Sequence, residues 1–243
     1  MIDRNTIDDM ARVPHLLVAC DFDGTLAPIV NDPGDATVLP EALAALHRLA
    51  RLPRTTVAIV SGRLRQELVD RFGEDDFILV GEHGADSGAG APPEPDSLAR
   101  ARQAVDKVHR ETPGSRIEHK TMSVVFHYRQ VEADPASALA ELRRVAAELP
   151  DLEVMEGKAV LEISVPHDDK GDVIVALRER VGADAILFLG DDVTDETVFP
   201  RLGPPDLGVK VGPEETAASA RVADPEEVAE FLAPLAERRE TLI

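Results

Sequence analysis

His15-Leu16-Leu17-Val18-Ala19-Cys20-Asp21-Phe22-Asp23-Gly24-Thr25-Leu26 decides how this chain is read. Residues 15–20 are a near-continuous apolar run, the pattern of a parallel strand buried on both faces. Two aspartates follow at its carboxyl end, the place where open α/β sheets bind their ligands. With one residue between them, Asp21 and Asp23 converge on a single point only if the chain turns just past the strand. Gly24 supplies the freedom for that turn. Two carboxylates so placed attract a divalent cation. An ordinary strand-ending turn or a fragment of a calcium loop shares part of this pattern. An EF-hand loop, however, places its glycine sixth and a glutamate twelfth, and here the glycine is the fourth residue from Asp21.

Outward from this stretch the pattern repeats. Residues 40–52 carry leucines at helical spacing (Leu43, Leu46, Leu49, Leu52), and 55–60 reads as a strand ending in Ser61-Gly62-Arg63. A helix to about Phe72 leads to a strand at 77–80 that ends in Gly81-Glu82-His83-Gly84. Later, Lys170-Gly171 opens a helix to about Val181. A strand at 185–189 then ends in Gly190-Asp191-Asp192-Val193-Thr194-Asp195-Glu196. A short helix, a strand at 207–211 and a helix from 226 to about 239 close the chain. Alternating strands and helices with short turns predict a parallel, Rossmann-like sheet, an α/β core.

Between the two halves lies a different module. Residues 85–95 are rich in Gly and Pro and read as a linker or hinge. Helices at 96–111 and 135–149, with strand pairs at 115–120/123–129 and 151–156/159–165, give an inserted αββαββ unit of α+β type. The expected organisation is core 1–84, insert 85–165 and core 166–243. A two-residue turn at Thr121-Met122 puts Arg116, Glu118, Lys120, Ser123, His127 and Arg129 on one face and Ile117, Val124, Phe126 and Tyr128 on the other. A second turn at Gly157-Lys158 puts Glu153, Val160, Glu162 and Ser164 on one face. Residues 115–130 carry three cations against Glu118, so the polar face is either a solvated surface or a place to hold an anion.

The chain has 243 residues, 44% of them hydrophobic, enough for a sizeable core. Its net charge of −20 argues against nucleic acid and anionic membrane surfaces as partners. No apolar run approaches the roughly 20 residues of a membrane span. The single Cys20 cannot form an internal disulfide, and charges fill the first 14 residues where a signal peptide needs an apolar core. A cytoplasmic location is expected, with a small molecule as partner and a monomeric chain.

Strand ends and nearby turns thus offer Asp21 and Asp23, Ser61, Lys170, and Asp191 with Asp192 and Asp195. This is the inventory needed to move a phosphoryl group through a covalent aspartyl-phosphate. Each could be structural by itself: a turn, a surface lysine, a helix cap with acid in its first turn. Together, in this order, they resemble the haloacid dehalogenase (HAD) superfamily of phosphohydrolases, whose phosphatase members have Asp two residues after the nucleophile. The resemblance implies Asp21 as nucleophile, Asp23 as acid and base, Ser61 and Lys170 on phosphoryl oxygens, and Mg²⁺ held by Asp21, the Asp23 carbonyl and Asp191. Asp192 and Asp195 would hold metal-bound water or Lys170.

The insert resembles the second cap type of that superfamily. With Ser61-Gly62-Arg63, Glu82-His83-Gly84, Glu118-x-Lys120, His127-Tyr128-Arg129 and Glu156-Gly157-Lys158 followed by Glu162, the chain resembles the trehalose-6-phosphate phosphatase family over about 15–212. That implies a sugar-phosphate substrate contacted by Arg63, Glu118, Lys120, Arg129, Lys158 and Glu162, and a cap hinged near 84–95 and 165–169. Val160, apolar two residues after Lys158, departs from the family pattern. A phosphatase of another phosphorylated disaccharide or pseudodisaccharide, and a phosphosugar mutase, are the alternatives.

Overall fold

A computed structural model describes residues 2–30, 32–84, 95–157, 159–166 and 169–242. In chain order its elements are α1 (Arg4–Arg12), β1 (Leu16–Cys20), α2 (Pro40–Ala50), β2 (Thr55–Val60), α3 (Arg65–Phe72), β3 (Ile78–Val80), α4 (Asp96–Glu111), β4 (Arg116–His119), β5 (Ser123–His127), α5 (Ala136–Ala147), β6 (Glu153–Gly157), β7 (Val160–Ser164), α6 (Lys170–Val181), β8 (Ala185–Gly190), β9 (Leu207–Val211), β10 (Ala220–Val222) and α7 (Pro225–Leu242). The chain divides into two compact units, Met1–Gly88 with Asp168–Ile243, and Ala89–His167. Of the linker read at 85–95, residues 85–94 lie outside the described residues, as do Lys158 and two residues of the second hinge, 167 and 168.

The first unit is built on a six-stranded sheet of order β10-β9-β8-β1-β2-β3, parallel at every pairing. β1 is central, and all five of its residues are fully buried. Alternation along the strand splits them. Leu16, Val18 and Cys20 join the core against α1, α2 and α7, whereas Leu17 and Ala19 join the core against α6. Each face of the sheet therefore has its own apolar layer, the arrangement that a continuously apolar strand requires. Cys20 packs there as a small hydrophobe, and burial raises its thiol pKa far above the ordinary range.

Two elements of this unit lie outside the expectations above. α1 is short, but Asp3 caps it by accepting from the Thr6 amide at 2.8 Å, and Ile7, Met10 and Ala11 put apolar groups on its inner side. β10 is a three-residue edge strand, too short for a periodic signal. α7 runs on to Leu242 and carries Arg239, whose side chain is fully buried. Its guanidinium donates to Thr55 Oγ1 (2.7 Å) and to the carbonyls of Ala11 (3.1 Å), Val13 (2.6 Å) and Arg54 (2.8 Å), tying the end of α1 to the start of β2.

The second unit is the αββαββ module. Its antiparallel sheet has the order β4-β5-β7-β6, and α4 and α5 pack over Val124, Phe126, Leu161 and Ile163. Arg116 pairs with His127, Ile117 with Phe126 and Glu118 with Val125, the register of a two-residue turn at Thr121-Met122. The second turn differs from the reading. Gly157 pairs with Val160, so the turn is one residue further on, with Ala159 at φ 67°. Moving a two-residue turn by one place shifts each pairing by two, so the faces survive. β5 also ends earlier than expected. The Tyr128 amide bonds the Ala159 carbonyl, and the chain then turns as Val131 N–H returns to the Tyr128 carbonyl. Arg129 thus sits in that turn and not on the strand face.

Replacing Arg239 with Ala removes the buried donor to the Ala11 and Val13 carbonyls and to the Thr55 hydroxyl, whereas the Arg54 carbonyl keeps the Leu16 amide. We expect a loss of about 3 kcal/mol, seen in thermal denaturation as a midpoint lowered by roughly 6–12 °C. A loss below about 1 kcal/mol would mean that water replaces the guanidinium.

Candidate functional site

The first unit gathers its polar groups at the carboxyl ends of β1, β2 and β8. β1 delivers Asp21, whose amide still bonds the Leu189 carbonyl of β8 at 2.9 Å. The chain then folds back sharply. Phe22 C=O accepts from Leu26 (2.9 Å) and Ala27 (3.0 Å), and the Gly24 amide donates to Ala27 C=O at 2.8 Å. Gly24 has φ +81°, and a Cβ there would stand 2.1 Å from Asp191 Oδ2. Glycine is therefore required twice over, for the backbone angle and for the room that Asp191 occupies.

Lys170 opens α6 behind Asp169, which caps the helix in a capping box with Asp172. Its side chain is 1% exposed. The ammonium donates to Asp21 Oδ1 at 2.8 Å and to Asp195 Oδ1 at 2.7 Å. Asp195, also fully buried, takes the Asp192 amide on its other oxygen at 2.9 Å. This contact needs Gly190, because a Cβ at that position would lie 2.3 Å from Asp195 Cγ. Ser61 is buried beyond the end of β2, with its amide on Val80 C=O (3.0 Å) and its hydroxyl accepting from the Arg63 amide (3.3 Å).

Asp21, Asp191 and Asp195 each present a carboxylate oxygen, and these oxygens all lie within 4.8 Å of one another. Burial and like charge act on them together. Burial, with Asp195 and Asp191 nearby, pushes Asp21 up to about 8 against the pull of Lys170. Burial, with Asp195 and Asp192, pushes Asp191 up to about 6. Burial works against the Lys170 ammonium, but Asp21 and Asp195 outweigh it and hold the proton firmly. Three carboxylates facing one ammonium, all with hard oxygen donors, are a fitting set for a hard divalent cation.

The remaining residues named from sequence are distributed as follows. Asp23 does not join the carboxylate group. Its oxygens are held by Arg63 at 2.7 Å each. Arg63, read as a substrate contact, is turned to Asp23 and Glu67. Asp192 is exposed, and its carboxylate folds back onto the Val193 amide at 2.7 Å, whereas Lys170 is held by Asp195. In the second unit, pairing sets Glu118, Val125 and Glu162 in one row across the sheet. Glu162 Oε1 accepts from Ser123 Oγ at 2.6 Å and from Lys120 Nζ at 3.5 Å, and Glu118 bonds His127 at 3.1 Å. Arg129 is exposed, and Lys158 is outside the described residues.

Two residues of the first site were missed. Lys210, 2% exposed on β9, donates to the Asp191 carbonyl, and Thr25 Oγ1 reaches Asp191 Oδ1 at 3.4 Å. The signal for Lys210 was present, since a single lysine inside an otherwise apolar strand needs a buried partner.

A family model described as trehalose-phosphatase matches residues 19–227. The trehalose-phosphate phosphatase of Mycobacterium marinum is 34% identical over 96% of this chain and 65% of its own length. A probable trehalose-phosphate phosphatase of Oryza sativa is 34% identical over 93% of this chain and 67% of its own. This chain thus spans about two thirds of the length of these relatives. Among solved structures, the trehalose-6-phosphate phosphatase of Aspergillus fumigatus superposes with a TM-score of 0.74 at 29% identity, covering 97% of this chain and 98% of that one. The C-terminal domain of the Candida albicans enzyme gives 0.73 at 28%, covering 96% of both. With the match running from β1 into the first turn of α7, the chain belongs to the trehalose-phosphatase family.

Proposed function

We propose that this chain hydrolyses trehalose 6-phosphate to trehalose and inorganic phosphate. The observation that carries the reading is Lys170 Nζ bridging Asp21 and Asp195 beside Asp191, at the ends of β1 and β8. Asp21 is the nucleophile. One of its oxygens attacks phosphorus in line, the bond from phosphorus to the sugar oxygen breaks, and Asp23 gives that oxygen a proton. Water then attacks the phosphorus of the aspartyl-phosphate, Asp23 takes its proton, and the Asp21 carboxylate is restored. Lys170 and Ser61 hold the phosphoryl oxygens and offset charge as it spreads over them. Asp195 keeps Lys170 protonated and aimed.

Asp21, the Asp23 carbonyl and Asp191 would hold Mg²⁺, which when bound offsets the charge between nucleophile and phosphate. Sugar recognition falls to the polar face of the second unit, with Glu118, Lys120 and Glu162, and to Arg129 and Lys158 by resemblance to the family. The whole chain has no Trp and one Tyr, so little aromatic stacking is on offer. Carboxylates and cations that hydrogen-bond hydroxyls discriminate strongly, because a substrate lacking the hydroxyl leaves a polar group unpaired. No described helix is long and apolar enough to cross a membrane, and a small soluble ester is a substrate that needs none.

With Mg²⁺, phosphate release from trehalose 6-phosphate should exceed that from glucose 6-phosphate by at least about tenfold in kcat/KM, and a chelator should abolish both. Equal rates would remove the disaccharide. Lys120→Ala and Glu162→Ala should raise KM for trehalose 6-phosphate roughly 10- to 100-fold while p-nitrophenyl phosphate is little affected. Parallel losses would take the second unit out of recognition.

Asp21→Asn should abolish turnover. It should also change how stability depends on pH. The Asp21 carboxyl is raised from 3.8 to about 8 by folding, so its contribution is whole below 3.8 and is lost as pH rises to about 8. An amide has no such loss. In chelator, the melting temperature of the variant should therefore gain on the parent by several degrees across that window and level off above it. A constant difference would mean that Asp21 is ionised throughout.

A further inference from the structure

Arg63 leaves the end of β2 at a place where a cation could meet an anionic substrate, but its donors are already engaged. Nε and Nη2 donate to the two oxygens of Asp23 at 2.7 Å each, Nη1 to Glu67 at 3.0 Å, and Nη2 also to the Pro33 carbonyl at 2.6 Å. The guanidinium carbon stands 5.1 Å from the Phe22 ring centroid, and the side chain is 9% exposed. A guanidinium has five N–H bonds, and four are accounted for. The fork matches a carboxylate at both oxygens, which a lysine could not do. Asp23 is the more exposed partner, at 34%. Each of its oxygens has two lone-pair sites, so an oxygen that accepts from the fork can still carry a proton on its other side.

We propose that Arg63 is a positioning residue for proton transfer: it is braced by Glu67, Pro33 and Phe22, and it fixes the Asp23 carboxyl in the orientation from which the leaving oxygen is protonated. It does not itself grip the sugar phosphate. This rests on the reading of Asp23 as the proton donor. In the step concerned, the bond from phosphorus to the leaving oxygen breaks with its electron pair on oxygen, and the Asp23 proton moves to that oxygen. An aspartate without its brace samples several rotamers, and the gain from having the donor already in place is lost. That loss falls on a sugar alkoxide, a poor leaving group, and scarcely on p-nitrophenolate, which departs as a stable anion.

The test compares kcat/KM, which reports only steps up to the first irreversible one, on trehalose 6-phosphate and p-nitrophenyl phosphate with Mg²⁺ present. Arg63→Met should lower the value roughly 30-fold or more on the sugar ester, a large part of the 10²–10⁴ that a general acid supplies, with the fall in kcat and little change in KM. On p-nitrophenyl phosphate it should stay within about threefold. Arg63→Lys should behave like Arg63→Met, because an ammonium restores the charge without the fork. Glu67→Gln, which removes one brace but leaves both N–H bonds from the fork to Asp23, should shift the ratio of the two substrates in the same direction by a smaller factor, roughly two- to fivefold. Equal losses on both esters, or a raised KM with kcat unchanged, would overturn the proposal in favour of a structural or a substrate-binding arginine. Should the parent protein act on glucose 6-phosphate as fast as on trehalose 6-phosphate, the disaccharide reading falls. The same split on glucose 6-phosphate would still decide the role of Arg63.

Discussion

The first unit depends on one buried ammonium. Lys170 lies between Asp21 and Asp195, two carboxylates that are themselves almost wholly out of water. Without it, ionising the two carboxyls would leave one buried anion beside another, an arrangement costing several kcal/mol per ion before any repulsion. With it, the carboxylates can meet in the sheet interior, and the ends of β1 and β8 are joined through the first residue of α6. The connection spans 149 residues in one direction and 25 in the other. A contact that joins such distant segments forms only when the sheet is correctly assembled, so the site and the fold are specified together.

Backbone room is the second condition. Gly24 and Gly190 each occupy a spot where a methyl group would overlap an aspartate, Asp191 in one case and Asp195 in the other. The two glycines serve neighbouring loops, and each clears space for an acid from the β8 loop. The acids can crowd because the chain beside them has no side chain. A bound cation would offset the like charge that adds to burial in raising the Asp21 and Asp191 carboxyls.

Much of this was legible in the sequence, for identifiable reasons. β1 and β8 are apolar on both faces and end in acid, so their position and direction could be read from residue type. α4 and α6 begin and end where their periodicity says. The cap hairpins kept their faces even where a turn moved by one residue, since alternation depends on parity and not on the location of the turn. What escaped was set by tertiary partners. α1 is held by a cap and by Arg239 from the other end of the chain, and no local pattern announces that. Arg129 left its strand because the ladder ended at the Tyr128 amide, a matter of pairing with Ala159. Arg63 and Asp23 lie 40 residues apart, and sequence gives no means of choosing between a partner of that kind and a ligand.

Four described cations, three in the first unit and one in the second, share a feature that bears on how an anionic substrate is received. Lys170 is paired with Asp21 and Asp195, Lys210 lies 3.8 Å from Glu196, Arg63 is paired with Asp23 and Glu67, and in the second unit Lys120 faces Glu162. None of these cations stands alone to attract phosphate, and the chain as a whole carries −20. Coulomb repulsion between a phosphate dianion and the carboxylates at the β1 and β8 ends is strong at the short distances and reduced dielectric of a buried site. On the proposed reading, a bound divalent cation would add the positive charge that these paired groups do not supply in full. The ligand groups have to be deprotonated first, which ties cation affinity to pH through the same carboxyls that burial raises. Lys170 then serves twice, aiming Asp21 and offsetting charge on the phosphoryl oxygens, and a bound cation would supply the remainder.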